Sequence, residues 1–506
     1  MDGQNRHSGG ENAAGSAAGP NRRSEGDHSE AFPDGQTRSE GGDKTADFTD
    51  GHKPARDAEK LIFVLALTLI VSVMNATIFN IVLPKMSEEL GLSFAEVSWV
   101  FSAYILVYAI GSAIYGKLAD RFRLKNLITF GLLFLIVGSA AGMAAPSFGF
   151  VLLGRVLQAA GAAVIPAAAM IIPVRYFPAE RRGRAFGTSA AGLALGNALG
   201  PVVSALIASA AHWRWLFGVP VLLLFTIPFY RKFLGEEEAG RGRIDWMGGG
   251  LLAASVIMLL LAVTFGNLSA AAGCLILFAL LIVRLRRAAE PFIHPRLFRN
   301  RTFAVGLSIN VLMMGIGYSL PLLTPKLLAD VSGLDPGWIG LTMVPAAAVS
   351  ALLGRMAGKL ADSKGNAFLF HIASALLMAC FVLMSSFAGV SPLFIAVILI
   401  FGTVGQMFMQ ISMSGTISRA LPKDQTGTGM GLVAMLNFLT GSVATSVYGK
   451  IADLGATVSW NPLNADPAAF VYGNLYLALA LTHLGLLVFY RHRFGISASV
   501  PGKQDR

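Results

Sequence analysis

The stretch Ser98–Lys125, SWVFSAYILVYAIGSAIYGKLADRFRLK, decides the fold. Its first nineteen residues, to Gly116, carry no charge; the next nine hold Lys117, Asp120, Arg121, Arg123 and Lys125. As a helix, nineteen residues rise about 28 Å at ~1.5 Å each, close to the ~30 Å of a bilayer's hydrocarbon core. The run therefore reads as a membrane span that stops at a cluster of cations. Thirteen further runs repeat the pattern. With this one they cover 61–83, 98–116, 126–145, 149–173, 186–210, 214–230, 247–266, 268–283, 302–325, 337–357, 367–387, 391–414, 427–449 and 470–490.

The loops distinguish the two sides. The even-numbered loops and the C-terminal tail hold 27 of the 40 Lys and Arg residues, counting Arg355 with the loop that it precedes. The odd-numbered loops hold Lys85, Arg214, Lys326 and Lys450 alone. Positive charge stays on the cytoplasmic side, so an even span count places both termini there, in a bacterial plasma membrane. Segment 8 is the weakest reading because its run is short; fusing 7 with 8 would invert every later loop.

Composition agrees. The mean hydropathy is +0.61 and 14% of residues are charged, which excludes a soluble globular chain. The net charge of +11 is spread over inner loops, which suits anionic inner-leaflet lipid and not nucleic acid. Cys274 and Cys380 both lie in apolar runs and read as packing residues, with no disulfide framework, metal cluster or cofactor site. There is no P-loop and no nucleophile–base pair, so an enzyme is not expected. Residues 1–59 have almost no large apolar side chains and read as a disordered cytoplasmic tail.

The expected architecture is all-α and integral to the membrane, with fourteen transmembrane helices. Residues 60–235 form one six-helix bundle, 236–300 a central loop and two-helix hairpin, 301–490 a second six-helix bundle, and 491–506 a cytoplasmic tail. An internal echo supports two halves: GKLADRFRLK at Gly116–Lys125 and GKLADSKG at Gly358–Gly365, each after the second helix of its half. Repeated halves mark secondary transporters, where a small-molecule substrate binds near the midplane.

Three further motifs lie in the first half. Segment 4 holds Leu153-Gly-Arg-Val-Leu-Gln-Ala-Ala-Gly-Ala-Ala163. Its Arg155 is the one basic residue read as inside a span, which makes it a functional candidate unless it lies near the helix end and snorkels to the interface. Gln158, one turn on, can share its hydrogen bonds. Segment 5 carries Gly187, Gly196, Gly200 and Pro201, whose small residues permit close packing and whose proline bends a helix. His212-Trp-Arg-Trp-Leu-Phe217 opens segment 6 with aromatics suited to the interface belt.

Together these motifs resemble the major facilitator superfamily, and within it the fourteen-helix drug:proton antiporter branch, most nearly the Gram-positive tetracycline efflux proteins. Asp245-Trp246-x-Gly248 and Pro295–Phe303 resemble that branch's entries to helices 7 and 9. The resemblance implies efflux of amphipathic small molecules by alternating access, coupled to protons. It implies gating by Gly116, Asp120 and Arg121, with Asp120 at a helix N-terminus of the opposite bundle, and by Asp362 in the echo. It implies a hinge at Gly187, Gly196, Gly200 and Pro201.

The chain departs from that pattern where coupling resides. Asn75 stands where the family has Asp in its first helix, Asn197 where the tetracycline exporters have Glu, and Ala444 near their acidic position in helix 13; Arg123 replaces a loop glycine. All 29 acidic residues fall in tails, loops or helix ends. An amide keeps hydrogen bonding and removes proton exchange. Coupling stays open between His483 in segment 14, the substrate's own titratable group, and uncoupled transport of a neutral or zwitterionic metabolite. The cavity candidates are polar and uncharged: Asn75, Tyr104, Asn197, Asn310, Tyr318, Gln406, Gln410 and Asn437, with Met313, Met314, Met407 and Met409 as adaptable surface.

Overall fold

The computed structural model describes residues 52–79, 82–92, 94–97, 99–235 and 244–494. Of the expected N-terminal tail, 1–51 lie outside the described residues, while helix already begins at His52. Residues 236–243 and 495–506 also lie outside them.

Fourteen helices are long and apolar enough to cross a membrane. They are α1 (Asp57–Thr77), α2 (Trp99–Ala119), α3 (Leu124–Met143), α4 (Phe148–Tyr176), α5 (Ala179–Ala210), α6 (Trp213–Phe233), α7 (Trp246–Val263) and α8 (Leu268–Arg287). The remainder are α9 (Arg301–Asp330), α10 (Gly337–Lys364), α11 (Asn366–Ser386), α12 (Pro392–Arg419), α13 (Thr426–Leu454) and α14 (Pro467–His492). The described residues contain no strand. Segments 7 and 8 are separate helices, joined at Gly266 with a left-handed φ of 65°, a conformation that glycine adopts without steric cost.

The segment read as 214–230 would be short for a span as α-helix. It crosses because Trp213–Thr226 is wound as 3₁₀-helix and only Ile227–Phe233 as α-helix. At rises of ~2.0 and ~1.5 Å per residue the two pieces cover about 38 Å. Pro220 and Pro228 each lack the amide that an α-helical bond needs.

Helices α1 to α6 pack among themselves, with α1 on α5 and α3 on α4; α9 to α14 do the same, with α11 on α12 and α10 on α12. The halves meet where α5 crosses α10 and α2 crosses α13. The hairpin lies beside this seam, α7 touching both α2 and α13. Asp245 caps α7 by accepting from the Gly248 amide at 3.0 Å and pairs with Arg284 of α8 at 3.0 Å. The chain leaving α8 is tied back to the second loop: Lys117 Nζ donates to the Pro291 carbonyl at 3.2 Å, and Arg121 pairs with Glu290 at 3.0 Å.

Candidate functional site

The seam is built by two aspartates in related positions. Asp120, just past α2, accepts from the amides of Gly427 at 2.7 Å and Thr428 at 2.6 Å, the first turn of α13. The Thr428 hydroxyl donates to it at 2.6 Å and Arg175 pairs with it at 3.0 Å. Asp362, near the end of α10, accepts from the amides of Gly183 at 2.7 Å and Arg184 at 2.9 Å, at the start of α5. Each carboxylate thus satisfies free amides, and the positive dipole end, of a helix in the opposite half. Burial pushes the Asp120 carboxyl above its ordinary range, opposed by the Thr428 hydrogen bonds and by Arg175.

Glycines permit this approach. A Cβ on Gly116 would stand 2.6 Å from the Gly427 carbonyl oxygen and 2.6 Å from the Gly431 Cα; one on Gly183 would stand 2.6 Å from the Gly358 carbonyl oxygen. Gly187 faces Gly354 in the same way. Arg123 sits at φ −59°, ψ 124°, open to any residue, so the turn needs no glycine there.

All of these contacts lie at the basic-loop end. Toward the opposite end Asn197 is exposed on α5, and Gly337 and Gly340 of α10 face open space. The described contacts between Asp120, Asp362 and the opposite half therefore hold the two halves together at the basic-loop face. Of the expected hinge residues, Gly187 lies on the seam, while Gly196 and Gly200 lie away from it. They pack α5 on α1, against Ile70 and Thr77, within one half. Pro201 continues the same helix.

Arg155 lies inside the first half with no exposed surface, which rules out snorkelling. Its Nε donates to the Val100 carbonyl at 3.2 Å, and its Nη1 to Gln158 Oε1 at 3.0 Å and to the Asn75 carbonyl at 3.4 Å. The guanidinium is sandwiched between the rings of Tyr104, 4.0 Å away, and Phe79, 4.5 Å away. Nη2 has no partner. Asn75 Nδ2 donates to the Tyr104 hydroxyl at 3.3 Å, and Gln158 Nε2 to Ser139 at 2.8 Å. Every acceptor around this cation is neutral. Tyr104 stacks on Tyr108 at 5.6 Å, and Tyr108 meets Phe438 of the opposite half edge-on at 4.9 Å. Two aromatic contacts therefore join the Arg155 cage to the seam.

The second half holds an amide pair, Asn310 Nδ2 donating to Asn437 Oδ1 at 2.7 Å. Gln406 reaches the Met314 sulfur at 3.6 Å. Gln410 lines a void of about 20 Å³ at the seam with Met170, Phe186, Ser189 and Ser414, room for about one water.

The family model for the Major Facilitator Superfamily matches residues 65–445. The chain belongs to that superfamily. It is 30% identical over 317 residues to "Multidrug resistance protein 3" of Bacillus subtilis (strain 168), a match spanning 60% of this chain and 61% of that protein. It is 25% identical over 453 residues to "Riboflavin transporter RibZ" of Clostridioides difficile (strain 630), covering 87% and 99%. It is 26% identical over 348 residues to "Methylenomycin A resistance protein" of Bacillus subtilis (strain 168), covering 66% and 73%. The solved structure of the human organic anion transporter MFSD10 shares the fold at a TM-score of 0.62 and 15% identity, covering 85% of this chain and 99% of that one.

On this major facilitator scaffold the expected residues divide into groups. Asn75, Arg155, Gln158 and Tyr104 come together; so do Asn310 with Asn437; Asn197 stands apart. His483 is buried in α14 near Phe381, in the half opposite Arg155, and neither ring nitrogen has a partner. The sequence reading missed Arg175, Glu290 and Phe438, and placed Asp120 at a helix N-terminus of the opposite bundle without naming α13, or α5 as the receiver of Asp362. A signal for both receivers was present: RGRAFG (Arg182–Gly187) and TGTGMG (Thr426–Gly431) share their glycine spacing at the starts of α5 and α13.

Trp213 is no belt residue either. It is fully buried, and its Nε1 donates to Glu89 at 2.7 Å while Arg214 pairs with Glu89 at 2.9 Å and His212 at 3.0 Å. This clamp ties the helix Leu83–Leu90 to the start of α6. Partial burial pushes the Glu89 carboxyl up, but the bonds from Trp213 and Arg214 outweigh it and hold the group below its ordinary 4.5. A depressed folded value stabilises above the unfolded one, and the benefit is lost as pH falls through the folded value. Acid melting scans of wild type and Glu89→Gln should therefore converge below about pH 4 and separate above about pH 5. Parallel curves throughout would remove the clamp.

Proposed function

We propose that this chain is a secondary exporter of amphipathic small molecules, drug-like or tetracycline-like, working by alternating access within the fourteen-helix antiporter branch. Its basic-loop face and both termini lie in the cytoplasm of a bacterial plasma membrane, and the form described above faces outward. The observation that carries this reading is the paired capping of α13 by Asp120 and of α5 by Asp362. Those contacts are short, related by the repeat and confined to one end, as a reversible closure between two rocking halves requires. The names of two relatives, multidrug resistance and methylenomycin A resistance, favour export of toxic compounds.

In this reading Arg155, Gln158 and Asn75 hold the substrate or its coupling proton. Asn310, Asn437, Gln406 and Gln410 face them from the second half. With amides at Asn75 and Asn197, the proton travels on the substrate or on His483. A second reading has one specific support, the full-length likeness to a riboflavin transporter: uncoupled passage of a neutral or zwitterionic metabolite.

Proteoliposomes with an imposed pH gradient separate the two. Accumulation of a fluorescent cationic drug against its gradient, driven by ΔpH and collapsed by an ionophore, is expected. Riboflavin exchange indifferent to ΔpH, with no drug movement, would install the second reading in place of the first.

A further inference from the structure

The outer surface carries a groove that alternating access does not use. It has a volume of about 470 Å³ and runs between α1 (Phe63, Leu67, Val71) and α6 (Leu222, Phe225, Phe229). Its one polar lining group, Thr226, donates to its own helix at the Leu223 carbonyl, 2.6 Å away. The groove follows from the 3₁₀ winding of Trp213–Thr226, which is slimmer than an α-helix and leaves space beside α1. From Phe63 to Val71 is two turns, about 12 Å.

Three cations surround its basic-loop end. Lys60 Nζ, which also pairs with the half-exposed Asp57 at 3.4 Å, lies 5.4 Å and Lys232 Nζ 5.9 Å from the ring of Phe233, at the ends of α1 and α6. The Arg355 guanidinium lies 5.5 Å from the ring of Phe63, which lines the groove. Lys60 and Lys232 belong to the first half. Arg355 belongs to α10, next to Gly354, which faces Gly187 across the seam.

We propose that this groove holds one anionic phospholipid. Its acyl chain lies between α1 and α6, and its phosphate is shared by Lys60 and Lys232 of one half and Arg355 of the other. The occupant needs an apolar tail, because the groove offers no free hydrogen-bonding group to position a drug. It needs negative charge, because the mouth is cationic. Because Arg355 comes from the opposite half, the bound lipid favours the state closed at the basic-loop face. This holds whichever solute crosses.

The test is native mass spectrometry of the full-length chain in detergent, offered equimolar phosphatidylglycerol and phosphatidylcholine of identical chains. Wild type should retain one phosphatidylglycerol with at least tenfold preference. Lys60→Gln/Lys232→Gln should lose the preference, and Leu67→Trp or, independently, Leu222→Trp should lose the lipid. Phosphatidylglycerol should raise the melting temperature of wild type by several degrees and that of Arg355→Gln by clearly less. Equal retention of both lipids, indifference to both groove-filling variants, or displacement of the lipid by the transported dye would each overturn the proposal. The last would assign the groove to the substrate's route. A ΔpH transport assay that fails in wild type would count against the transport reading alone.

Discussion

Leucine in place of Gly116 is expected to reduce transport at least a hundredfold while leaving a folded chain. The reason is where the new atoms go. A Cβ there would lie 2.6 Å from the Gly427 carbonyl oxygen and the Gly431 Cα. Both are backbone, so no side chain can rotate away, and α2 and α13 must separate. Separation breaks the contacts of Asp120 with the Gly427 and Thr428 amides and leaves a buried carboxylate and helix amides without partners. Each orphaned group costs about 1–3 kcal/mol, more for a charge. Closure at the basic-loop face is then unfavourable by several kcal/mol, comparable to the ~5.5 kcal/mol that spans a 99:1 to 1:99 reversal. Alanine supplies the same Cβ and should cost at least tenfold.

The equivalent substitution in the echo, Gly358→Ala, meets the Arg184 Cα at 2.6 Å and should behave alike. Gly340→Ala meets nothing within 4 Å and serves as the control. Each half keeps its own packing, so melting temperatures should move little. Spin-label distances between positions 123 and 364 would report the parted face. Normal transport by Gly116→Leu with an unchanged distance would remove the seam from the mechanism.

The fourteen spans were legible because length and apolarity set them, and a bilayer tolerates few other solutions. Charge gave the grouping of the loops. The Asp120 and Asp362 contacts were half legible: the repeat around Gly116 and Gly358 marks the strings that carry the accepting carboxylates, while the donating amides need the folding of α5 and α13 against the opposite half. Spacing marked Gly196 and Gly200 as a close-packing face but could not name the partner, which is α1 of the same half, because small residues record close approach and not what approaches. Pattern could not show the 3₁₀ winding of α6, since a uniformly apolar run has no period to read. The same blindness moved Trp213 from the interface to the interior, where Glu89 satisfies its indole.

Methionine in place of Arg155 is expected to leave the fold within a few degrees of the wild-type melting temperature and to reduce transport at least a hundredfold. The stability side nearly cancels. Burying a guanidinium without a carboxylate costs several kcal/mol. Two ring faces return about 2 kcal/mol each when desolvated, and hydrogen bonds to a charged donor about 1.5–3 kcal/mol each. Methionine fills much of the same volume and removes both the cost and the gain, leaving mainly Gln158 Oε1 unpaired. The expected loss of transport rests on the proposed role of Arg155: a cation of little net stability, sealed between Tyr104 and Phe79 and two aromatic contacts from the seam, is placed to act in the transport cycle. Lysine should not rescue it, because a point charge cannot lie flat between two rings or reach Val100, Asn75 and Gln158 together. Asn75→Asp is the sharper variant. It places a carboxylate beside Arg155, where Asn75 Oδ1 already lies 3.5 Å from Nη1. The pair should raise the melting temperature and confer sensitivity to ΔpH on transport that lacks it, or increase that sensitivity where present. Wild-type rates in Arg155→Met, with Asn75→Asp indifferent to the gradient, would show this cation to be a packing residue and leave coupling to the substrate or to His483.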